Sequence, residues 1–381
     1  MKILILGAGM MGRALAFDLF NFSKFDTITI SDRDKKMLNE AKKFLKNKSI
    51  RYEILDASNK VRIEKFFGEY DIIISAIPYF FNYFLTKTAI KNKTHFLDLG
   101  GNNKVVEKQI KLSSLAEKNE VIVIPDCGLA PGLVSIITRD IVEYLDEVEY
   151  VKIRVGGLPL KPIPPFNYQI VFSLNGLINE YVEDAIVLDN KKIISKKSMT
   201  DIEEISFKPP FSKMEAFVTS GGVSTLPYTF RYIIKYIDYK TIRYPGHCKT
   251  FRPFFELDLG SEKPVKINNK DVIPRNLLVK LLEEKIPKKG KDVVLLKVIS
   301  KGRKDKKEIE LEYEMIDYID EKNNITAMMR TTTYPVSIIA QMINNKEITK
   351  TGVNTCENIV PTDIFFKELE KRNIKIIKKI V

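Results

Sequence analysis

Short apolar runs alternate with helix-period segments over the first third of the chain. Lys2–Leu6 is such a run, and Met11–Phe20 follows it with apolar residues at helical spacing. Thr27–Ser31 repeats the strand signal, and Lys35–Lys46 reads as a helix with a Lys-rich solvated face. Arg51–Leu55, Asp71–Ala76, Thr94–Leu99 and Val121–Pro125 continue the series, with helical stretches between them. Strands that are apolar throughout are buried on both faces, as in a parallel sheet covered by helices. The pattern predicts an α/β domain over residues 1–125, built from successive strand–helix units.

The texture then changes. Val148–Val155 reads as a strand and Gly156–Pro165 as a Gly/Pro-rich loop. Val293–Ile299 and Ile309–Tyr318 are longer strands flanking a polar, Lys-rich stretch, which predicts a long hairpin. A second, α+β domain with a mixed or antiparallel sheet is expected here, one face of that sheet being free to cover a cleft.

Composition narrows the class without naming it. The 381 residues are 44% hydrophobic and 29% charged, which excludes disordered and collagen-like chains. Three widely spaced cysteines, Cys127, Cys248 and Cys356, argue against a disulfide framework or a cysteine zinc site and suit a reducing cytoplasm. No apolar run approaches the roughly 18 residues of a membrane span. The net charge of +13 is concentrated: residues 285–307 carry ten Lys/Arg against two Asp, and 367–381 six Lys/Arg against two Glu. The rest of the chain is close to neutral, so this charge reads as solvated faces on a hairpin tip and a terminal helix. Neither nucleic acid nor membrane is expected as a partner.

The strongest motif is Gly7-Ala8-Gly9-Met10-Met11-Gly12, a G-x-G-x-x-G directly after a strand and directly before a helix. Its glycines allow a tight turn, backbone approach to a pyrophosphate, and close helix–strand packing. The helix N-terminus offers free N–H groups to the phosphates. Asp32, 20 residues after Gly12 at the end of the second strand, is placed to accept from ribose hydroxyls, which favours NAD. Arg33 beside it could stack on adenine or grip a 2′-phosphate, so NADP stays open. Asp56 and Ala57 could flank the adenine, with a helix N-cap the equal alternative for Asp56. Ala76, Ile77 and Pro78 end the fourth strand, where a doubly wound sheet presents ligand-facing loops.

Further segments have unusual local sequences: Asp126-Cys127-Gly128-Leu129-Ala130-Pro131-Gly132, Gly221-Gly222 followed by Ser224-Thr225-Leu226-Pro227, and Arg243-Tyr244-Pro245-Gly246-His247. Taken in order, these resemble the saccharopine dehydrogenase-like family, and within it the lysine 6-dehydrogenase branch. The resemblance runs over nearly the whole chain. It implies a Rossmann domain, a central substrate domain over 126–326, and a return of about 327–381 to the Rossmann side. It also implies oxidoreductase chemistry with NAD or NADP at an amino-bearing carbon of a lysine-derived or polyamine-like substrate.

On this reading the chain oxidatively deaminates the side-chain amine of lysine or a similar amino acid. Reductive C–N bond formation by a saccharopine or carboxynorspermidine dehydrogenase with NADP is the alternative. A non-catalytic dinucleotide sensor or nucleic-acid binder is the rival from another class. Proton transfer could come from Asp126, His247 or Cys127, each with a plain structural alternative: a cap, a loop residue, a small buried hydrophobe. A substrate carboxylate wants a bidentate cation, for which Arg243 beside Tyr244 is the first candidate and Arg231 and Arg330 the reserves. Backbone N–H groups at Gly221-Gly222, with Thr225, could reach the same carboxylate. His95 reads as structural. No ligand spacing points to a metal. The expected partners are an amino-acid substrate and a second copy of the chain in a homodimer.

Overall fold

The computed structural model describes residues 1–47, 49–288 and 290–381. Lys289, within the basic stretch 285–307, lies outside the described residues. The chain divides into two compact units, Met1–Asp140 with Met329–Ile374, and Ile141–Met328 with Lys375–Val381.

The first unit is built on a parallel sheet of seven strands. Its order in space is Gly352–Val353, Ile122–Ile124, His95–Asp98, Ile72–Ser75, Lys2–Leu6, Thr27–Asp32, Arg51–Ile54. Order reverses at Lys2–Leu6, which pairs with Thr27–Asp32 on one side and Ile72–Ser75 on the other. That reversal is the switch point at which doubly wound sheets open a crevice for ligands. Leu4, Leu6, Ile73, Phe67 and Phe96 fill the core on one face of the sheet. Local chemistry sets the helix starts. Asp34 accepts from the Lys36 N–H ahead of Lys35–Leu45, and Asn59 accepts from Arg62 N–H ahead of Lys60–Phe67.

The second unit carries a nine-stranded mixed sheet. Its longest run is Glu203–Ile205, Met214–Val218, Ile234–Arg243, Glu147–Pro159, Asp292–Lys304, Lys307–Tyr318, Ile377–Ile380. Only Ile234–Arg243 with Glu147–Pro159 is parallel within it. The expected hairpin is longer than its apolar core, running from Val293↔Tyr318 to Lys304↔Lys307. Asp305 and Lys306 close it with φ of 51° and 66°, the left-handed pair of a two-residue turn that matches strand twist.

Three sequence expectations change. Gly156-Gly157 is not loop: the strand continues through Pro159, and a Cβ on Gly156 would lie 2.3 Å from the Ile242 carbonyl oxygen. The glycine marks close backbone approach between neighbouring strands. Residues 126–140 belong with the first unit, where Asp98 receives the N–H of Asp126 at 3.2 Å on its carboxylate and that of Cys127 at 2.8 Å on its carbonyl. Residues 375–381 belong with the second unit. There Ile377–Ile380 pairs with the edge strand, Lys379 meets Glu312 at 3.1 Å, and Lys378 lies over the Tyr144 and Tyr313 rings. The basic end is therefore not simply a solvated helix face. It covers a Glu-bearing strand edge that would otherwise be unpaired. Likewise Lys297 of the basic stretch is buried against Glu312 and Glu314.

One face of the second sheet is strongly polar: Arg154 clasps Asp238 through two hydrogen bonds (2.8 and 3.1 Å) and contacts Glu203, which Lys240 also meets at 2.7 Å. Residues of the other parity on Ile234–Arg243, Tyr239, Thr241 and Arg243, are buried and carry the chemistry described below. Among the described residues, no helix is long and apolar enough to cross a membrane.

Candidate functional site

In the first unit, the glycine loop has the geometry of a pyrophosphate cradle. Gly7 adopts φ +102° and its N–H donates to the Ser31 carbonyl at 2.7 Å. A Cβ there would lie 2.7 Å from the Ala76 carbonyl oxygen, and one on Gly12 only 1.8 Å from that of Gly7. These two positions are closed to any side chain. Gly9 differs: a Cβ would meet nothing within 4 Å, so the space over the start of helix Met10–Phe22 is open. Open room above a helix N-terminus with unpaired N–H groups fits a dinucleotide phosphate.

Asp32 sits beside this loop. Its carboxylate accepts from Ala8 N–H (2.8 Å) and Asp34 N–H (2.9 Å), one on each oxygen. The residue thus ties the loop to the strand end, and each carboxylate oxygen keeps capacity for a further donor. Arg33 is exposed, and its charge helps hold the Asp56 carboxyl below the usual range, behind the larger effect of the Ser58 hydrogen bonds. Asp56 is not the helix cap. It accepts from the backbone and hydroxyl of Ser58, both at 2.8 Å, while Asn59 does the capping. Ala57, Ala76 and Ile77 are partly buried, and Pro78 is exposed. Met10 is exposed and Met11 partly so at the helix start. His95 is structural, its Nδ1 accepting from Ile122 N–H at 3.0 Å.

The Asp126 loop also lies in this unit. Asp126 holds a left-handed φ of 60°, tolerated by Asp because its side chain is short. Its carboxylate packs onto Gly100, where a Cβ would fall 1.9 Å from Oδ1. Cys127 is fully buried, its thiol donating to the Ile124 carbonyl at 3.2 Å and lying 3.8 Å from the Cys356 sulfur. Burial pushes that thiol well above its ordinary value. A nucleophile needs the thiolate, so Cys127 is a packing residue and not the reactive group the sequence allowed.

In the second unit, the strand residue Arg243 is 2% exposed and makes no ion pair among the described residues. Nε donates to the Tyr181 hydroxyl at 3.0 Å and one terminal nitrogen to its neighbour's carbonyl, Ile242 O, at 2.9 Å. The Tyr168 and Tyr181 rings lie 5.2 and 5.9 Å from the guanidinium carbon. Burial opposes its charge, yet the fields of Tyr181, Tyr168 and Glu180 keep it protonated.

Tyr181 links this arginine to His247. The histidine is 1% exposed, with Nδ1 3.0 Å from the Phe166 carbonyl and Nε2 2.9 Å from the Tyr181 hydroxyl. A carbonyl only accepts, so Nδ1 carries the proton and Nε2 accepts from Tyr181. The ring stacks on Phe251 at 4.3 Å. Burial, reinforced by Arg243, pushes its pKa down to about 3. His247 is thus a neutral, satisfied residue that orients Tyr181, which corrects its sequence reading as a proton-transfer group.

The other expected substrate residues separate. Tyr244 gives its hydroxyl to the Pro159 and Leu160 carbonyls at 3.0 and 3.3 Å, which fastens a strand end. Gly222 packs on the Tyr239 ring, where a Cβ would come within 2.3 Å, and Gly221 has φ +91° beside open space. Thr225 starts the short helix Leu226–Thr229. Arg330, in the first unit, binds the Arg372 and Asn373 carbonyls at a helix end, and Arg231 lies over Tyr232.

Sequence reasoning missed Glu180. It precedes Tyr181 on helix Leu174–Val182, which Ser173 caps. Burial raises its pKa to about 7, with Arg243 pulling the other way. Its backbone carbonyl holds Ser220 N–H at 3.0 Å, beside the Gly221-Gly222 turn. The signal available was a carboxylate on an otherwise apolar helix face.

Fold and cradle together define a dinucleotide-binding α/β protein with a second sheet domain that holds a buried, unpaired arginine. Residues 3–124 match the saccharopine dehydrogenase NADP binding domain and residues 128–374 the saccharopine dehydrogenase C-terminal domain. The chain belongs to the saccharopine dehydrogenase family. It is 25% identical over 268 residues to the NADP(+), L-glutamate-forming saccharopine dehydrogenase of Schizosaccharomyces pombe, covering 65% of this chain and 56% of that one. It is 24% identical over 278 residues to the enzyme of the same name from Pyricularia oryzae, covering 69% and 58%. The matched stretch thus spans little more than half of these curated relatives. The apo saccharopine dehydrogenase (L-Glu forming) of Saccharomyces cerevisiae has the same fold, with a TM-score of 0.81 at 18% identity over 100% of this chain and 99% of that one.

Proposed function

We propose that this chain is a nicotinamide-dependent dehydrogenase acting at a carbon–nitrogen bond of a lysine-derived amino acid of the saccharopine type, with NADP as cofactor. The observation that carries this reading is Arg243, a buried guanidinium with no carboxylate partner among the described residues. A desolvated, unpaired cation is costly unless a ligand anion completes it, and a planar guanidinium suits a carboxylate. The curated relatives' names supply the direction, saccharopine to L-glutamate with NADP(+).

Oxidation at the carbon bearing nitrogen removes a hydride and leaves an imine, which water splits into a carbonyl and the freed amine. The nicotinamide, when bound, accepts the hydride. The residues of this chain that would hold the cofactor are Gly7, Gly9, Gly12 and the following helix start, with Asp32 and Arg33 at the ribose end. Arg243 would fix the substrate carboxylate, and Asp126 remains the candidate for proton transfer in the first unit.

A second reading, NAD-dependent deamination of the lysine side chain, is favoured by the Asp32 carboxylate, which disfavours a 2′-phosphate. Purified protein is mixed with L-saccharopine or L-lysine and NADP or NAD, and reduced cofactor is followed by absorbance. Turnover of saccharopine with NADP supports the first reading, and turnover of lysine with NAD the second. No turnover of either substrate with either cofactor overturns both. The proposal extends to a cytoplasmic location, which three buried free cysteines suit, and to a homodimer, which sedimentation equilibrium tests.

A further inference from the structure

We propose that Asp98 is a positioning residue, its buried carboxylate holding the backbone of the Gly100 and Asp126 loops so that the Asp126 carboxylate is presented in one fixed pose. This deepens the proposed function and rests on its reading of Asp126 as the proton-transfer group.

Asp98 closes strand His95–Asp98 and is fully buried. Its Oδ1 accepts from Gly100 N–H at 2.7 Å and from Asp126 N–H at 3.2 Å, and its Oδ2 accepts from Gln109 Nε2 at 2.7 Å. One side chain therefore joins two loops that leave neighbouring parallel strands, His95–Asp98 and Ile122–Ile124, at their C-terminal ends. That edge is where a doubly wound sheet faces its ligands. The loops also interlock. Asp126 Oδ1 lies so close over Gly100 that a Cβ there would fall 1.9 Å from it, and both residues hold positive φ, +77° at Gly100 and 60° at Asp126. The backbone that Asp98 clamps is the backbone that sets where the Asp126 carboxylate points.

Behind the clamp runs a buried polar chain. Every neighbour of the Asp98 carboxylate is a donor, which suits the ionised form; burial pushes its pKa up, and the hydrogen bonds from Gln109, Asp126 and Gly100 draw it back. Gln109 is also fully buried, and its Nε2 serves Thr86 Oγ1 at 2.9 Å as well as Asp98. Its Oε1 has no partner among the described residues, yet turning the amide would set oxygen against the carboxylate. Thr86 donates to the Asn82 carbonyl at 2.8 Å, and Asn82 Oδ1 takes the Ser75 hydroxyl at 2.8 Å, at the last residue of strand Ile72–Ser75. Apolar side chains would pack a helix onto a sheet without leaving an orphaned amide oxygen. A connected polar network instead fixes one arrangement, here that of the strand ends at the ligand-facing edge. Misplacing a reacting group by about 1 Å can lower a rate about a hundredfold.

The test follows saccharopine oxidation with NADP in wild type, Asp98→Asn, Asp126→Asn and the double variant, with NADPH binding read by fluorescence. Asn at position 98 keeps the shape but sets its NH2 against that of Gln109, and turning it round withdraws the acceptor from Gly100 and Asp126. In D98N the kcat is expected to fall at least about tenfold, with the Kd for NADPH within about twofold of wild type. The double variant is expected to be no slower than D126N, because a residue acting through Asp126 adds nothing once that carboxylate is gone. A wild-type kcat in D98N overturns the proposal, as do losses that multiply in the double variant. Combining Asp98→Asn with Gln109→Glu sets a donor against an acceptor again and should restore kcat to within about threefold of wild type, also where D98N alone does not fold. A combined variant that is unfolded or still slow overturns the positioning role. An impaired D126N beside an unimpaired D98N removes that role alone. Wild-type turnover in D126N removes the reading of Asp126, and with it anything for Asp98 to position.

Discussion

Arg372 Nε donates to both carboxylate oxygens of Asp18, at 2.8 and 3.0 Å, and both side chains are fully buried. The two residues lie at opposite ends of the chain, so this pair fastens the C-terminal return to the first helix of the dinucleotide-binding unit. Burial pushes the Asp18 pKa up to about 6 and Arg372 draws it back, which leaves the pair ionised at pH 7. Glu368 holds another terminal nitrogen of Arg372 at 2.8 Å. Removing the Asp18 carboxylate strands most of a buried guanidinium charge. Asp18→Ala should therefore cost about 3–5 kcal/mol of stability, read as a fall in the urea midpoint. An unchanged midpoint would show that Glu368 alone satisfies the arginine.

Two positions of the glycine loop should separate folding from cofactor binding. A methyl at Gly12 collides with the Gly7 carbonyl, whereas a methyl at Gly9 points into open space. Gly12→Ala should destabilise the apo protein. Gly9→Ala should leave apo melting unchanged and weaken nicotinamide dinucleotide binding at least tenfold, because the methyl occupies pyrophosphate room. Fluorescence titration with NADPH, alongside thermal melting of both variants, checks the contrast. Unaltered NADPH affinity in G9A would place the phosphates elsewhere.

These two glycines illustrate what was legible in the sequence. Gly7, Gly9 and Gly12 are set by backbone geometry over a few residues, so the strand–loop–helix context was enough to place them in a tight turn at a helix start. The parallel sheet was legible for the same reason, from strands that are apolar on both faces. Tyr181 meets partners more than sixty residues away, Arg243 on a strand and His247 at a helix start, and no local pattern encodes that meeting. His247 misled for the complementary reason. A histidine on a Pro-Gly turn looks available, but Phe166 and Tyr181 close over it from distant segments while Phe251 stacks on it from the next turn of its own helix. The final strand was hidden because Ile377–Ile380 is basic and short, and acquires its structure only against the Glu-bearing edge it pairs with.

On the proposed reading, cofactor choice turns on Arg33. Its side chain is exposed next to Asp32, whose carboxylate is occupied in part by the N–H groups of Ala8 and Asp34. A charge-assisted contact to a 2′-phosphate contributes about 1.5–3 kcal/mol, which is about tenfold or more in affinity. Arg33→Ala should raise the Kd for NADPH by that factor and leave NADH binding nearly unchanged. Equal effects on the two cofactors would assign Arg33 to the adenine, and the NAD reading would gain.

His247 gives the protein a specific acid sensitivity. Its folded pKa of about 3 lies below the ordinary histidine value of 6.5, because burial and Arg243 both oppose the imidazolium. Between those values the unfolded chain binds a proton that the folded protein refuses. Stability from this group is therefore complete above pH 6.5 and falls as the pH drops toward 3, by up to about 1.4 kcal/mol per pH unit. His247→Gln removes the titration while keeping a side chain that can donate to Phe166 and accept from Tyr181. The variant should be less stable than wild type at pH 8, since the stacking on Phe251 is lost, and the gap should narrow steadily as the pH is lowered to 4. Urea unfolding at several pH values measures it. A gap that stays constant would mean that His247 titrates alike in the folded and unfolded chains, and the neutral chain from Arg243 through Tyr181 to Phe166 would have to be redrawn.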